Sequence, residues 1–373
     1  MKLTCEREKL LHAFQTAASV APSRSPKPVL SNVKLEASAE AVTLLGTDLE
    51  MGIRVDVAGI EVEAPGAVLL PIDRVGAVLR ESSDEKLLLE SDGRKTLIRG
   101  QWAEFQLPSE NPDEFPQVAG FSENAYHELS ARFFRELVRR TVFATDPENS
   151  RYALGGVLVE FSEEDVVAIG TDGRRLAKQE GPAKSVGGHS TTGRQTIVPT
   201  RAMTVIERAT GDNEEQILLA ARDNDIIVRS GRTTVYSRLV EGRYPKWRDV
   251  FPRGDEGIEI EATVGPFYSA LRQAAIVATG ERRAIEFRFG EGKVMMAGHG
   301  AEQGESHVEL PIAYDGATVP VSLDWRFFGE FLRVLDSEAV IKLRIRDSES
   351  AVVCSTSDGY AYVIMPLARD HGA

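Results

Sequence analysis

VTLLGTDLE (42–50) and VVAIGTDGR (166–174) decide how this chain is read. Each carries an apolar, strand-like run into the same Gly-Thr-Asp turn, and the two turns begin 124 residues apart, close to one third of the 373-residue chain. In the last third KVMMAGH (293–299) repeats the pattern without the Asp. Self-similarity at a fixed period is the signature of a repeated architecture.

Helical patterns recur around these turns, two per third. In 6–20 the apolar stripe is Leu10, Leu11, Phe14, Ala17 and Ala18; in 131–143 it is Phe133, Phe134, Leu137, Val138 and Val142; in 264–283 it includes Phe267, Leu271, Ala274, Ala275 and Ala278. These are the spacings of helices with one buried face. A second helix follows a strand and a Pro in LLPIDRVGAVL (69–79), IVPTRAMTVIERA (197–209) and TVPVSLDWRFFGEFLRVL (318–335). The first two prolines fall near N1, where a missing N–H costs nothing, and Ser322 is the expected N-cap of the third. Alternating strands joined by polar turns lie between, as in LLLESDGRKTLIRG, ILLAARDNDIIVRSG and IKLRIRDSESAVVCS. Each third therefore reads helix, three strands, strand, helix, then two or three strands. Proline-bearing stretches at 108–120 and 245–254 separate the thirds. The expectation is three α+β domains of one design, bounded at 1–122, 123–253 and 254–373.

Composition agrees with a multidomain globular chain: 42% apolar and 27% charged residues, enough for sizeable cores. Cys5 and Cys354 are too few for a disulfide framework and have no zinc spacing. MKLTCEREKL lacks the apolar core of a signal peptide, and no run approaches the ~20 apolar residues of a membrane span. A cytoplasmic protein without a membrane partner is expected. The net charge of −13 argues, taken alone, against affinity for nucleic acid. The charge is segregated, however. Over the windows 6–20, 71–81, 131–143, 199–209, 264–283 and 322–335 there are 15 Lys+Arg and 9 Asp+Glu. Arg132, Arg135 and Arg139 recur at i, i+3 and i+7, away from their helix's Phe and Leu stripe. Such arginines solvate exposed helix faces; six helices with a summed surplus of Lys and Arg, gathered on one side, would also make a surface for a polyanion.

Catalytic signatures are missing. No G-x-x-x-x-G-K-[ST], G-x-G-x-x-G, H-E-x-x-H or G-x-S-x-G occurs. His12, His127, His189, His299, His307 and His371 have no ligand spacing, and no cofactor or metal is expected. Asp48 and Asp172 occupy equivalent repeat positions, which leaves a carboxylate-based hydrolase or nuclease as a rival reading. Turn chemistry, in which each Asp side chain accepts backbone N–H groups, accounts for them more simply. A peptide-binding adaptor without DNA is a third reading.

Taken in order, MKLTCEREKLL (1–11), GTDLEM (46–51), RYALGGVLVE (151–160), IGTDGRRLA (169–177), VEGRYPKWRDVFP (240–252) and YVIMPL (362–367) resemble the bacterial DNA polymerase III beta subunit, or sliding clamp, family across essentially the whole chain. That resemblance implies a DNA clamp fold: three similar domains, each with two helices and two sheets, in a head-to-tail homodimeric ring around double-stranded DNA. Such a clamp is a non-catalytic processivity factor that slides without reading sequence. It implies as partners the polymerase III alpha subunit, the clamp loader, and other polymerases, ligase and mismatch-repair proteins carrying clamp-binding motifs.

By the same carry-over Arg24, Arg151 and Tyr152 fall at DNA-contacting positions. Arg74, Arg139, Arg201, Arg243 and Arg282 join them by their basic character on or near the helices. The peptide pocket would comprise Leu154, Thr171, Gly173, Arg175, Leu176, Pro245, Val250, Val363, Met365, Pro366 and Leu367. Phe105 on the first domain, with Ile276 and Val277 on the third, would form the apolar part of the ring joint. Glu302 and Glu305 would face Lys95 and Arg99 there, with Glu104 interrupting the basic strand. Residues of this joint also read as ordinary intradomain core, most plainly Phe105 in AEFQL, and Val363–Leu367 also reads as an ordinary final strand. Three departures stand out: Arg174 where His is usual, Asp249 where a basic residue is common, and a tail, LARDHGA (367–373), that runs past the usual end.

Overall fold

A computed structural model describes residues 1–22, 24–148, 153–211, 215–251, 257–278, 283–300 and 303–367. They form six α-helices: α1 (Arg7–Ala18), α2 (Ile72–Glu81), α3 (Ala131–Thr141), α4 (Thr200–Ala209), α5 (Val264–Ala274) and α6 (Trp325–Arg333). The chain divides into two compact units. The first comprises Met1–Arg135 with Ala183–Leu239, and the second Glu136–Pro182 with the chain from Val240 onward.

The first unit holds two sheets. One runs in the order Ile60–Ala64, Lys2–Glu6, Lys86–Ser91, Lys95–Arg99, Glu104–Pro108. The other runs Lys184–Val186, Tyr126–Ser130, Gln216–Ala221, Asp225–Ser230, Thr233–Arg238, Met51–Val57, Val42–Thr47, Asn32–Ala37, Gly66–Pro71. This second sheet is continuous across a repeat boundary, because Thr233–Arg238 pairs antiparallel with Met51–Val57, Val235 opposite Ile53. α1 buries Leu10, Ala13, Phe14 and Ala17; of the stripe expected from periodicity, Leu11 and Ala18 are only half-buried, and Ala13 takes a core place instead. Leu45, Leu69 and Phe115 close a smaller cluster beneath Val29 and Val118.

The second unit repeats the device. Gly156–Phe161, Asp165–Thr171, Arg175–Pro182, Tyr360–Ile364, Val352–Ser355, Val340–Ile345 and Ile258–Thr263 follow one another in one sheet, and Ala177 stands opposite Tyr362 where two repeats meet. A four-stranded sheet runs Gly304–Pro311, Lys293–Gly300, Ala284–Gly290, Val319–Asp324. Its core packs α5 and α6 through Phe267, Leu271, Phe328 and Phe331 against Phe287, Tyr360 and Tyr362.

The glycine of the repeated turn is explained by a close approach that recurs three times. A Cβ on Gly46 would lie 1.9 Å from the Ala17 carbonyl oxygen, one on Gly170 2.1 Å from that of Thr141, and one on Gly298 2.6 Å from that of Ala274. Each is the strand residue on which the last turn of the repeat's first helix rests. Only glycine admits that contact, and it fixes the register of the three repeats.

Several expectations are corrected. A strand precedes the first helix of every repeat (Lys2–Glu6, Tyr126–Ser130, Ile258–Thr263), and more strands separate the two helices than the sequence reading allowed in the first two repeats. The window 264–283 overruns α5, which ends at Ala274. Pro71 and Pro199 are N-cap residues, not N1. Asp324 caps α6 by accepting the Arg326 N–H at 3.0 Å, while Ser322 lies inside the preceding strand. Arg135 is half-buried and donates to the Thr210 carbonyl at 3.0 Å, so it does not share the solvent face of Arg132 and Arg139. Among the described residues no helix is long and apolar enough to cross a membrane.

Candidate functional site

The two Gly-Thr-Asp turns are the same object atom for atom. Asp48 Oδ1 accepts the N–H groups of Glu50 and Met51 at 3.0 and 2.7 Å; Asp172 Oδ1 accepts those of Arg174 and Arg175 at 2.9 and 3.0 Å. Thr47 and Thr171 each donate Oγ1–H to the carbonyl four residues on, both at 2.6 Å. Leu49 and Gly173 sit at the same left-handed φ, 82° and 86°. Both carboxylates are therefore occupied in holding turns. Among the described residues, no group of three or more His, Cys, Asp or Glu is assembled to hold a metal.

In the second unit the Asp172 turn, the end of the last strand and the 244–251 loop carry all of the expected peptide-pocket residues apart from Leu154, which a neighbouring hydrogen bond ties to them. Leu176 stands opposite Val363, and the Met365 N–H donates to the Arg174 carbonyl at 3.0 Å. The Ala153 N–H donates to the Arg243 carbonyl at 3.4 Å, setting Leu154 beside the loop. That loop is pinned by two aromatic residues. Tyr244 is buried and its hydroxyl donates to the Ile169 carbonyl at 2.8 Å; Trp247 donates Nε1–H to Glu160, beneath the Arg248 guanidinium 4.2 Å from its ring.

The residues expected to form the pocket divide by exposure. Leu154, Leu176, Val363 and Thr171 are buried, Pro245, Pro366 and Leu367 are half-buried, and Gly173, Val250 and Met365 are exposed, the last at 47%. Arg175 is buried: it pairs with Asp172 at 3.0 Å and with Glu330, donates to the Phe143 carbonyl at 2.8 Å, and lies 4.4 Å from the Phe327 ring. Its role is to hold α6 and the turn together, since a buried charge held by several partners is a fixed structural element. Among the apolar residues of the set, Met365 and Val250 are the exposed ones. Sequence reading passed over Tyr244, Trp247, Phe327 and Glu330. The signal for the first two was in hand, because YPKW (244–247) repeats the FPQV (115–118) of the first third.

The basic residues separate likewise. Arg24, Arg74, Arg139 and Arg243 are exposed. Arg201 is also exposed, but its guanidinium is held by the Asp48 carboxylate and donates to the Val20 carbonyl at 2.9 Å. Arg151, Tyr152, Arg282 and Glu302 lie outside the described residues. Of the expected joint residues, Phe105 is 39% and Ile276 72% exposed, Val277 is half-buried, and exposed Glu305 lies 3.5 Å from His299.

Three family models match in tandem: the N-terminal domain of the DNA polymerase III beta subunit over 1–119, the central domain over 128–246 and the C-terminal domain over 248–368. The chain belongs to the DNA polymerase III beta subunit family. The beta sliding clamp of Pseudomonas putida is 28% identical over 98% of this chain and 100% of its own length, and that of Escherichia coli 27% identical over the same shares. A crystal structure of the Pseudomonas aeruginosa clamp bound to griselimycin matches with a TM-score of 0.90 at 26% identity, covering 99% of this chain and all of that one. The Bacillus subtilis clamp shares the fold, with a TM-score of 0.91 at 21% identity over 99% of both chains. The fold is the three-domain clamp fold. The family's function is that of a sliding clamp, a non-catalytic processivity factor of DNA replication, and it is the function of this chain.

Proposed function

We propose that the chain closes head-to-tail with a second copy into a ring around duplex DNA, and that the Met365–Val250 surface receives short apolar motifs of its partners. The observation that carries the ring is a pair of strand edges with no neighbouring strand among the described residues. Glu104–Pro108 ends one sheet and Gly304–Pro311 ends another, both with largely exposed residues. Aligned on Gly46, Gly170 and Gly298, Gly304–Pro311 is the counterpart of Met51–Val57 and Arg175–Pro182, each of which pairs with the last strand of the next repeat. Glu104–Pro108 is the counterpart of those last strands. Free edges of matching register are templates for pairing with another chain. Val235 opposite Ile53 and Tyr362 opposite Ala177 translate into Phe105 opposite Ser306 of a second copy.

A ring explains how a chain of net charge −13 retains DNA: closure holds it, and phosphate contacts only position it. We assign those contacts to Arg24, Arg74, Arg139, Arg151, Tyr152, Arg201, Arg243 and Arg282, with repeat boundaries at 1–122, 123–253 and 254–373. Polymerase III alpha, the clamp loader, other polymerases, ligase and mismatch-repair proteins are the partners this reading names, in the cytoplasm. Oxidising a Phe105→Cys, Ser306→Cys double variant tests the joint. A covalently closed dimer that traps circular DNA under denaturing conditions is expected; failure of this pair to cross-link while Phe105→Cys links to a position two residues away would refute the register.

A further inference from the structure

Trp102 is the most exposed large apolar side chain described, 84% accessible, in the turn of residues 100–103 between Lys95–Arg99 and Glu104–Pro108. The Gly100 N–H closes that turn by donating to the Ala103 carbonyl at 2.9 Å. An indole that exposed on a hairpin tip buries little against the described residues of its own chain. Its counterparts in the other repeats do have neighbours. With Phe105, Val235 and Tyr362 equivalent, Trp102 corresponds to Arg232 and Gly359. The Arg232 carbonyl accepts the Asp56 N–H at 2.9 Å, and the Gly359 carbonyl accepts the Glu180 N–H at 3.1 Å.

Those tips also lie towards the first helix of the preceding repeat, one across a shared cleft and the other through an ion pair. Gly231 and Arg232 share a cleft with Glu8, His12 and Thr16 of α1. Asp358, beside Gly359, pairs with Arg140 of α3 at 2.8 Å, and Arg140 pairs with Glu136 at 2.6 Å. Since Ala17, Thr141 and Ala274 are equivalent, the helix positions of His12 and Thr16 are those of Glu136 and Arg140, and on α5 those of Ser269 and Gln273. Here Gly265, Tyr268, Ser269, Arg272 and Gln273 of α5, with Ile276 just beyond it, lie along one face of the helix. The Arg272 guanidinium lies 5.8 Å from the Tyr268 ring, and Ile276 is 72% exposed.

We propose that this face of α5 is the seat of Trp102 from a second copy of the chain, making the indole the anchor of the ring joint. The inference rests on the head-to-tail reading above and assigns the residue that drives it. The repeat supplies the placement: the tip pairs with the helix at one intrachain junction and faces it across a cleft at the other, and the joint is the third. The chemistry fits as well. A flat aromatic ring meets an aromatic, a guanidinium and a β-branched side chain, the combination that gives stacking, cation–π and apolar burial together. Trp and Arg are the residues that dominate interface energetics when desolvated at a pocket. The backbone would be held by the Glu309 N–H donating to the Trp102 carbonyl, in the place of Asp56 and Glu180.

The test is the dimer dissociation constant by sedimentation equilibrium, for the full chain and for Trp102→Ala, Tyr268→Ala and the double variant. Both side chains lie at least partly on the surface, and thermal melts confirm folding. Trp102→Ala is expected to weaken the dimer by about 30-fold or more, a factor that shrinks markedly when Tyr268 is already Ala. An unchanged constant for Trp102→Ala overturns the anchor while leaving the ring intact. So does an equal loss in both backgrounds, which would place the indole elsewhere. A chain that stays monomeric at every concentration removes the head-to-tail reading and the inference with it.

Discussion

Arg140 and Asp358 stand 218 residues apart in the chain and form an ion pair at 2.8 Å. Arg140 is 5% exposed, and also donates to Gln179 Oε1 at 2.8 Å while its own carbonyl accepts the Tyr360 hydroxyl at 3.0 Å. One side chain thus fastens the sheet junction between Arg175–Pro182 and Tyr360–Ile364. Arg140→Ala is expected to cost about 2 kcal/mol of stability, below the range for a fully buried pair because Asp358 reaches solvent. Asp358→Asn should cost less than half as much. Denaturant titration of both variants checks the order; a cheaper loss for Arg140→Ala would remove it as the junction's clasp.

The glycine series gives a graded prediction. Gly46→Ala and Gly170→Ala place a methyl 1.9 and 2.1 Å from a helix carbonyl, Gly298→Ala only 2.6 Å. Backbone on one side and sheet on the other leave no flexible atom to yield, so the first two should cost about 3 kcal/mol or more and the third less. Melting temperatures that fall equally for all three would show that the close approach is not what selects glycine.

His127 and His189 are buried with their Nδ1 atoms 2.6 Å apart, and His189 Nε2 lies 3.0 Å from the Ala221 amide nitrogen and 3.1 Å from the Ala221 carbonyl oxygen. Burial pushes His189 below its ordinary value of 6.5, assisted by Arg194 and opposed by the Ala221 backbone and by Glu123. A depressed histidine means the unfolded chain binds more protons, so stability is full above pH 6.5 and is lost as pH falls below it. The melting temperature should decline from pH 6.5 downward, and His189→Gln should flatten that slope. An unchanged slope in the variant would assign the acid sensitivity to other groups.

For partner binding, exposed Met365 and Val250 are the residues to cut. Leu176 is 2% exposed, so its truncation opens a core cavity and confounds affinity with stability. Met365→Ala with Val250→Ala should weaken a clamp-binding peptide at least tenfold, about 1.4 kcal/mol, while the melting temperature and dimer remain. Fluorescence anisotropy with a labelled peptide decides it, and unchanged affinity would move the binding surface elsewhere.

The three-fold repeat is legible in the sequence because GTDLE and GTDGR keep one turn chemistry, and because an apolar stripe at helical spacing needs a face to bury. Leu10, Leu137 and Leu271, one from each stripe, are all in cores. The strands ahead of α1 and α3 are not legible, because KLTCE and YHELS run straight into a helix without a turn residue to mark the change. Nor does any local pattern show that Arg140 and Arg175 are buried. Their burial is set by Asp358 and Glu330, more than 150 residues away. Trp102 carries no signal of its own either, since an exposed aromatic looks like any other until the edge strand beside it is seen.

The most direct test of the central claim is topological. The protein is loaded by a clamp loader onto nicked circular DNA, the complex is isolated, and the circle is cut. Release on linearisation is predicted, with Ile276→Asp, which puts a charge on an exposed part of the joint, failing to be retained even on the intact circle. Equal retention on circular and linear DNA would mean binding by affinity, and would contradict a closed ring.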